Sequence, residues 1–184
     1  MKLNNVDIDK IYNAEQEIYD DLALTQKNFS VEGKWNFENE PGQFAALLKY
    51  PNGDAVIKTD NPSFLGGNDS QPEPMQYFLF SIAASYASSF TNNASIRGIL
   101  LEDLSINVEA KVDYSYFFSI SDDPKVEEIN ISVEASSNVS EEKILRVIEL
   151  ALKCCPVLSV IDDSVSVNVR LSKVKQLDES IKYN

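Results

Sequence analysis

Histidine is absent from the 184 residues, and cysteine occurs only twice, as the adjacent pair Cys154 and Cys155. Without histidine, a Ser-His-Asp or Cys-His nucleophilic mechanism cannot be built from this chain alone, and zinc sites with histidine ligands are excluded. Calcium-loop, P-loop and GxGxxG patterns are also missing. We therefore expect no metal and no cofactor, and the two thiols stand out as the conspicuous chemistry.

Basic residues are scarce: 16 Lys and Arg stand against 29 Asp and Glu, which gives a formal net charge of −13. So acidic a surface repels phosphates and anionic lipid headgroups, which makes nucleic acid and membranes poor candidate partners.

No apolar run approaches the ~20 residues that a membrane-spanning helix needs. Residues 1–21 show no basic stretch followed by an apolar run, which argues against a secretory signal. We expect a cytoplasmic protein with reduced thiols.

The first third of the chain predicts a helix followed by a small antiparallel meander. Residues 7–25 carry apolar side chains at helical spacing, with Asp7 or Asp9 as a cap. Residues 29–37 alternate in the manner of a strand and place Trp35 on a core face. Two further strands are predicted at 43–50 and 54–59, joined by a hairpin, because the Asn-Gly pair in YPNGDA tolerates positive φ.

The rest of the chain predicts two helices among strands. A loop rich in Gly, Pro and Asn leads to Pro74, after which residues 75–94 are apolar almost all round, as in a buried helix. Strands are expected at 99–120, 125–135 and 164–171. A second helix is expected at 140–156, ended by Pro156. The order of elements indicates an α+β fold, with a helical extension at 1–28, one domain at 29–171 and a polar tail at 172–184.

Three stretches together carry a family resemblance. They are DNPSFLGGNDSQPEPMQYFLFSIAASYASSF, NNASIRGILLEDLSINVEAKVDY and KILRVIELALKCCPVLSVI. In order and spacing they resemble the OsmC/Ohr family of thiol-dependent hydroperoxide reductases, over roughly Phe29 to Leu171. The resemblance implies an OsmC-like fold, in which a curved antiparallel sheet wraps around two central helices, here with an extra N-terminal helix. It also implies an intertwined homodimer with sites at its interface, and reduction of organic hydroperoxides by a thiol reductant in oxidative-stress defence.

The residues at the family's site positions differ from the family pattern. Counting from Pro74, the reactive cysteine of the family falls on Ser85, and the glutamate near the helix start falls on Gln76. The second family cysteine falls on Cys155. A serine hydroxyl is a far poorer nucleophile than a thiolate and lacks its reversible oxidation ladder. The first arginine in the chain is Arg97, so no arginine at 29–59 matches the family's thiolate-stabilising one. The resemblance thus implies a peroxidase-like site whose reactive thiol is replaced.

Whether the protein is an enzyme stays open at this point, with two functional interpretations. Cys155 could attack peroxide itself, with Cys154 or an outside thiol resolving the product. Alternatively, the scaffold is a non-catalytic dimeric binding protein for a small apolar or amphipathic ligand. Its pocket would then be lined by hydrogen-bonding side chains, namely Ser85, Gln76, Tyr77 and Tyr86.

A purely structural interpretation accounts for the same positions. Ser85 then fills a small-residue packing position between helices, and Gln76 makes a hydrogen bond at a helix start. Cys154 is a buried apolar filler in this interpretation.

Overall fold

A computed structural model describes residues 1–38, 40–122, 126–161 and 163–176. The chain divides into two compact units, one made of residues 1–15 with 79–184 and the other of residues 16–78. Helices and largely antiparallel sheets make up both, which confirms the predicted α+β class.

The N-terminus begins with a hairpin that the sequence patterns did not reveal. Strand β1 (Lys2–Leu3) pairs with β2 (Val6–Asp7), and the two turn residues Asn4 and Asn5 have φ of 52° and 60°. Positive φ at both central residues is the geometry of a two-residue turn that matches strand twist, and asparagine tolerates it well.

Helix α1 (Ile8–Asp20) follows the hairpin and is shorter than the predicted 7–25. The backbone turns extended at Asp21, whose carboxylate accepts a hydrogen bond from the Ala23 amide at 3.0 Å and caps a short 3-10 helix at Leu22–Thr25. Aspartate competes with the helix by bonding its own neighbouring backbone, which explains the early end.

Asn4 anchors the hairpin within the 1–15 and 79–184 unit. Its Nδ2 donates to Ser95 Oγ at 3.0 Å and to the Ile99 carbonyl at 2.8 Å, and its Oδ1 accepts from the Leu101 amide at 2.8 Å. Ile8, at the start of α1, is buried. The N-terminal extension is therefore tied to this unit by its first eight residues.

Unit 16–78 holds an antiparallel sheet in the order β3-β4-β5. The strands are β3 (Glu32–Trp35), β4 (Phe44–Tyr50) and β5 (Gly53–Thr59). The prediction that Trp35 is a core residue is wrong, since its side chain is 48% exposed. Alternation does place it on one face with Phe44, but β3 is a four-residue edge strand and leaves the indole half-covered.

The loop from β5 to the next helix is organised by Asp60. Its carboxylate is buried, and Oδ2 accepts hydrogen bonds from the Asn68 amide, the Ser70 amide and the Ser70 hydroxyl, at 3.2, 3.1 and 2.6 Å. The Ser70 hydroxyl is the largest of the influences that lower the pKa of Asp60, because it stabilises the charged form. This arrangement holds the Gly/Pro/Asn-rich segment up to Pro74, where helix α2 begins.

Helix α2 (Pro74–Ile96) contains no charged residue in 23 positions. Its buried side chains recur every four residues, at Ile82, Tyr86, Phe90 and Ala94. The helix was predicted to be buried on all sides. Only the side with these four residues is buried, since Phe80, on another side of α2, is 68% exposed. Among the described helices, none combines the length and apolar character needed to cross a bilayer.

The second sheet has the order β6-β7-β8. Its strands are β6 (Leu101–Val112), β7 (Val126–Ser137) and β8 (Ser166–Gln176), and helix α3 (Glu141–Cys154) connects β7 to β8. The predicted sheet was antiparallel throughout, which is wrong for one pair: β6 and β7 are antiparallel, whereas β7 and β8 are parallel. A helical crossover returns the chain in its original direction, so it joins parallel strands.

Strand β8 ends at Gln176, five residues into the predicted tail of 172–184, and residues 177–184 lie outside the described part of the chain. The core of this unit combines the inward side chains of β7 with one face of each helix. Its fully buried apolar members are Ile82, Tyr86, Phe90, Ala94, Ile129, Ile131, Val133, Ile144, Val147 and Ala151.

Candidate functional site at the contact of α2 with α3

Three hydrogen bonds join the middle of α2 to the last turns of α3. The Tyr86 hydroxyl donates to the Ile148 carbonyl at 3.3 Å, and the Ser89 hydroxyl donates to the Cys154 carbonyl at 3.4 Å. The third joins two of the predicted site residues, with Cys155 Sγ at 3.2 Å from Ser85 Oγ. Residues 70 positions apart in sequence are thereby brought into direct contact.

The end of α3 fixes the position of the Cys155 thiol. Helical geometry stops at Cys154, and Cys155 is extended, with φ −80° and ψ 108°. Pro156 imposes this, since the residue before a proline is disfavoured in the helical region. The turn out of the helix directs Cys155 inward, where it is buried.

The two adjacent thiols point to different environments. Both are free, but Cys154 is exposed whereas Cys155 is buried. The interpretation of Cys154 as a buried apolar filler is therefore wrong. Its position on the last turn of α3 places its side chain on the solvent side while its carbonyl accepts from Ser89.

Ser85 is half-buried, and its sequence neighbour Tyr86 lies on the side of α2 that faces α3. Tyr86 is fully buried, and burial raises the pKa of its phenol above the usual range, with the nearby Cys155 raising it further. The phenol therefore stays neutral at any physiological pH. Tyr86 was predicted to line a ligand pocket, but it is fully buried and packs against α3.

Gln76 lies in the other compact unit, in the first turn of α2. Its side chain is exposed, and Oε1 accepts a hydrogen bond from the Glu73 amide at 2.9 Å. A side-chain acceptor for a free amide is the usual device at a helix start, so the structural interpretation of this residue is supported. The bond leaves Gln76 with a local partner at its own helix start.

Unit 16–78 contains an apolar cavity of about 310 Å³ on one face of its sheet. Trp35 and Phe44 form part of the wall, and the predicted pocket residue Tyr77 lines it as well. The Tyr77 hydroxyl donates to the Lys58 carbonyl at 3.0 Å, so the ring is held in place. The remaining lining residues are Val31, Gln43, Ala46, Ile57, Thr59, Asn61 and Pro74.

Ser89 and Ile148, which tie the two helices together at the site, were not predicted as site residues. Ser89 lies one turn beyond Ser85 on α2, and this spacing was the available signal, because residues four apart share a helix face. Ile148 contributes only its carbonyl, which no side-chain pattern can indicate. Within the described residues, no group of three or more Cys, Asp or Glu side chains is placed to hold a metal ion.

The Cys155–Ser85 contact brings together a thiol, which is a good nucleophile, and a hydroxyl, which is a poor one. The buried Cys155 thiol hydrogen-bonds the Ser85 hydroxyl, and this contact offers it no second sulfur, since the Cys154 side chain is exposed. The 3.2 Å separation exceeds the ~2.05 Å of a disulfide bond by about 1.2 Å, so a sulfur in place of the Ser85 oxygen would lie within reach of Cys155.

Comparison with known proteins places this geometry in a family. No curated protein matches the chain. Among solved structures, an OsmC-like protein from Mycoplasma pneumoniae is 18% identical, with a TM-score of 0.61 over 82% of this chain and 99% of that one. An organic hydroperoxide resistance protein OsmC from Legionella pneumophila is 19% identical, with a TM-score of 0.56 over 81% and 98%.

A third similar structure is an organic hydroperoxide resistance protein from Elizabethkingia anophelis, which is 16% identical with a TM-score of 0.54 over 83% and 99%. At these identities the likeness establishes the fold, and the predicted OsmC-like architecture is confirmed. The family model described as OsmC-like protein matches residues 66–170, which is more than half of the chain and includes both Ser85 and Cys155. The chain therefore belongs to the OsmC-like protein family.

Proposed function

We propose that this protein is an OsmC-like protein of the oxidative-stress type whose thiol-dependent reduction of organic hydroperoxides is disabled at Ser85. The Cys155–Ser85 contact at 3.2 Å carries the proposal. It pairs the residue matched to the family's second cysteine with the residue matched to its reactive cysteine, which is the arrangement that a two-thiol site would need.

The chemistry explains why one missing sulfur matters. In thiol-dependent reduction a thiolate attacks one peroxide oxygen, the O–O bond breaks, and the alkoxide takes up a proton and leaves as an alcohol. The sulfur is oxidised to a sulfenic acid. A second thiol then attacks that sulfur, releases water and closes a disulfide. Ser85 can perform neither the attack nor the redox change, and Cys155 alone can supply only one of the two sulfurs.

The environment of Cys155 does not favour it as a replacement nucleophile. It is buried against Ser85, so a peroxide in solvent does not reach its sulfur while the α2–α3 contact is closed. No arginine precedes Arg97 in the chain, so strands β3 to β5 supply no guanidinium. We therefore expect the wild-type protein to leave organic hydroperoxides unreduced.

The test is consumption of cumene hydroperoxide with a dithiol reductant such as dihydrolipoic acid. Wild type, Cys155→Ser and Ser85→Cys are compared, with Cys154→Ser as the control for the exposed thiol. We expect wild type and both single serine variants at background, and turnover in Ser85→Cys. If wild type turns over and Cys155→Ser does not, Cys155 is itself the peroxide-attacking thiol and the proposal fails.

The apolar cavity in unit 16–78 favours a second candidate function, a binding protein for a small apolar or amphipathic ligand. Its volume of about 310 Å³ is at the lower end of the usual range for ligand pockets. The lining is nearly all apolar, and the Thr59 hydroxyl and the Asn61 side-chain amide are polar groups that could orient a ligand head. The Gln43 amide bonds the Gly66 carbonyl and the Asn61 N–H instead. Trp35, the one tryptophan in the chain, lies in the wall and would report occupancy by its fluorescence.

Decanol is a suitable probe for this cavity. We expect it to shift the Trp35 emission to shorter wavelength with a saturable dependence. Val31→Phe narrows the cavity and should weaken the effect several-fold. Val56→Phe is the matched control, because Val56 is 64% exposed against 63% for Val31 but lies on the opposite face of the sheet. A shift of the Trp35 emission that does not saturate with decanol would contradict this function, as would an equal weakening of decanol binding by the two variants.

A homodimer is the third part of the proposal, supported by the exposed side of α2. Phe80, Ala84 and Ser88 recur every four residues on a helix that has no charge to keep this side in water. Covering a large apolar side chain stabilises an interface by about 1.5–3 kcal/mol. Light scattering should give a dimer for wild type and a monomer for Phe80→Glu. The matched control is Phe117→Glu, which changes a side chain of similar exposure, 66% against 68%. Dimers in both variants would remove α2 from the interface.

A further inference from the structure

A second cavity, of about 310 Å³, lies in the 1–15 and 79–184 unit, where the chain leaves α2 and where it enters α3. Three of its six lining residues are cationic and none is acidic. The six are Arg97, Gly98, Ile99, Val139, Lys143 and Arg146. In a chain with 16 basic residues among 184 and a net charge of −13, this is a local reversal of charge that includes two of the three arginines.

The three positive charges are poorly compensated. Lys143 has no ion pair within the described residues. Arg97 donates through Nη1 to the carbonyl and to the side-chain oxygen of Asn93, both at 3.0 Å and both neutral acceptors. Arg146 pairs with Glu149 at 3.0 Å, but this pair is exposed and therefore weak. The three cations of the lining and the paired Glu149 together carry a net charge of +2.

The shape of the cavity leaves room beyond an inorganic ion. Ile99 is buried and Val139 is half-buried, so they give the cavity apolar wall. Gly98 has φ +68°, and a side chain built on it would meet no atom within 4 Å, so the space beside it is open. A pocket of this volume, with apolar walls and a few convergent polar groups, has the character of a small-molecule site.

We propose that this cavity binds a small organic phosphate monoester, with the phosphate against Arg97, Lys143 and Arg146 and the organic body against Ile99 and Val139. A phosphate monoester carries a charge of about −1.5 to −2 at neutral pH, which matches the uncompensated charge of the cavity. The guanidinium fork fits phosphate oxygens in pairs, and the lysine adds a point charge. The acidic remainder of the surface repels phosphate elsewhere, so binding is confined to this place.

Phenyl phosphate is the probe, titrated by calorimetry into the 184-residue protein in 20 mM and in 200 mM NaCl. We expect one saturable site that weakens at the higher salt. Lys143→Gln and Arg97→Gln should each weaken binding roughly ten-fold, because each removes a charge that touches the phosphate. Lys153→Gln is the matched control, since Lys153 is an exposed lysine in the last turn of the same helix and away from the cavity.

Three outcomes overturn the proposal. One is the absence of saturable binding by phenyl phosphate at low salt. Another is an equal loss in Lys153→Gln and Lys143→Gln, which would mean general surface attraction. The third is tight binding of phthalate, a dicarboxylate, without binding of phenyl phosphate. None of these depends on Ser85 or Cys155, so the result stands apart from the peroxide assay.

Discussion

Ser85→Cys tests the geometry of the α2–α3 contact independently of any enzymatic activity. The substitution replaces the hydroxyl that lies 3.2 Å from Cys155 Sγ by a thiol. A disulfide needs a sulfur–sulfur separation of about 2.05 Å, so the two side chains must approach by about 1.2 Å. A half-buried serine in the middle of a regular helix and a cysteine at a helix end can make such a shift by small side-chain rotations.

The size of the effect follows from the loop that the bond would close. The two positions are 70 residues apart. Chain-entropy arguments for a loop of this length give roughly 4 kcal/mol of stabilisation of the oxidised form, with native-state strain subtracting from it. For a chain of this size, each kcal/mol raises Tm by roughly 2–4 °C. Without strain, the oxidised variant should therefore melt roughly 8–16 °C above its reduced form, and strain in the native state lowers this difference.

Two readouts decide the outcome. Thermal melting with and without dithiothreitol gives the shift in Tm, and titration with a thiol reagent in denaturant gives the number of free thiols. After oxidation the variant should show one free thiol, which is Cys154, and three after reduction. Adding Cys155→Ser to Ser85→Cys should abolish the shift. Three free thiols after oxidation, or a bond that peptide mapping assigns to Cys154, would refute the contact.

Three stability predictions follow, each measured by urea unfolding. Asn4→Ala should cost roughly 2–3 kcal/mol more than Asn5→Ala, because both residues have positive φ but Asn4 alone makes three side-chain hydrogen bonds; equal losses would contradict this. Tyr86→Phe should lower the free energy of unfolding by about 1 kcal/mol, since the Ile148 carbonyl loses a buried partner. An unchanged urea midpoint would show that this hydrogen bond does not stabilise the fold. The pKa of Asp60 is lowered, so its charge contributes stability that is present at neutral pH and is lost as pH falls through that lowered pKa. Asp60→Asn should therefore be less stable than wild type at pH 7, by a margin that shrinks in acid; a margin that stayed constant would contradict the argument.

The elements with strong periodicity could be predicted well. The predicted helix at 140–156 has apolar residues at helical spacing, and the structure buries them as one face of α3: Ile144, Val147, Ile148 and Ala151. Its end at Cys154 follows from Pro156, which excludes the helical conformation at the residue before it, a local steric effect that is visible in sequence. The Ser85–Cys155 pairing came from spacing relative to Pro74 in a family pattern, since periodicity alone cannot say which helix faces meet.

The hairpin between β4 and β5 was predicted for a different reason from the one the structure shows. Tyr50 pairs with Gly53, so the two turn residues are Pro51 and Asn52, and the Asn-Gly pair is not the centre of the turn. Neither Asn52 nor Gly53 has positive φ. Proline pre-sets the backbone angle at the first turn position, which favours this turn one residue earlier.

Other features depend on tertiary contacts that local patterns do not carry. The alternation of β8 is the same whether it pairs parallel or antiparallel, and the α3 crossover decides the direction. Trp35 lies on the predicted face, but the predicted strand of 29–37 forms only over Glu32–Trp35 at a sheet edge. The hairpin at Asn4 is too short to show a period, and its stability comes from bonds to residues more than 90 positions away.

The opposite exposures of Cys154 and Cys155 let the relative rates of their chemical modification report how often the α2–α3 contact opens. An alkylating reagent reaches Cys154 in the native state, whereas Cys155 becomes accessible only when the end of α3 separates from α2. Because the two thiols are neighbours in one chain, they experience the same reagent for the same time. The ratio of their modification rates therefore measures the fraction of time that this contact is open. If the contact rarely opens, Cys155 is modified much later than Cys154, and any ligand that closes or loosens the contact will change this delay.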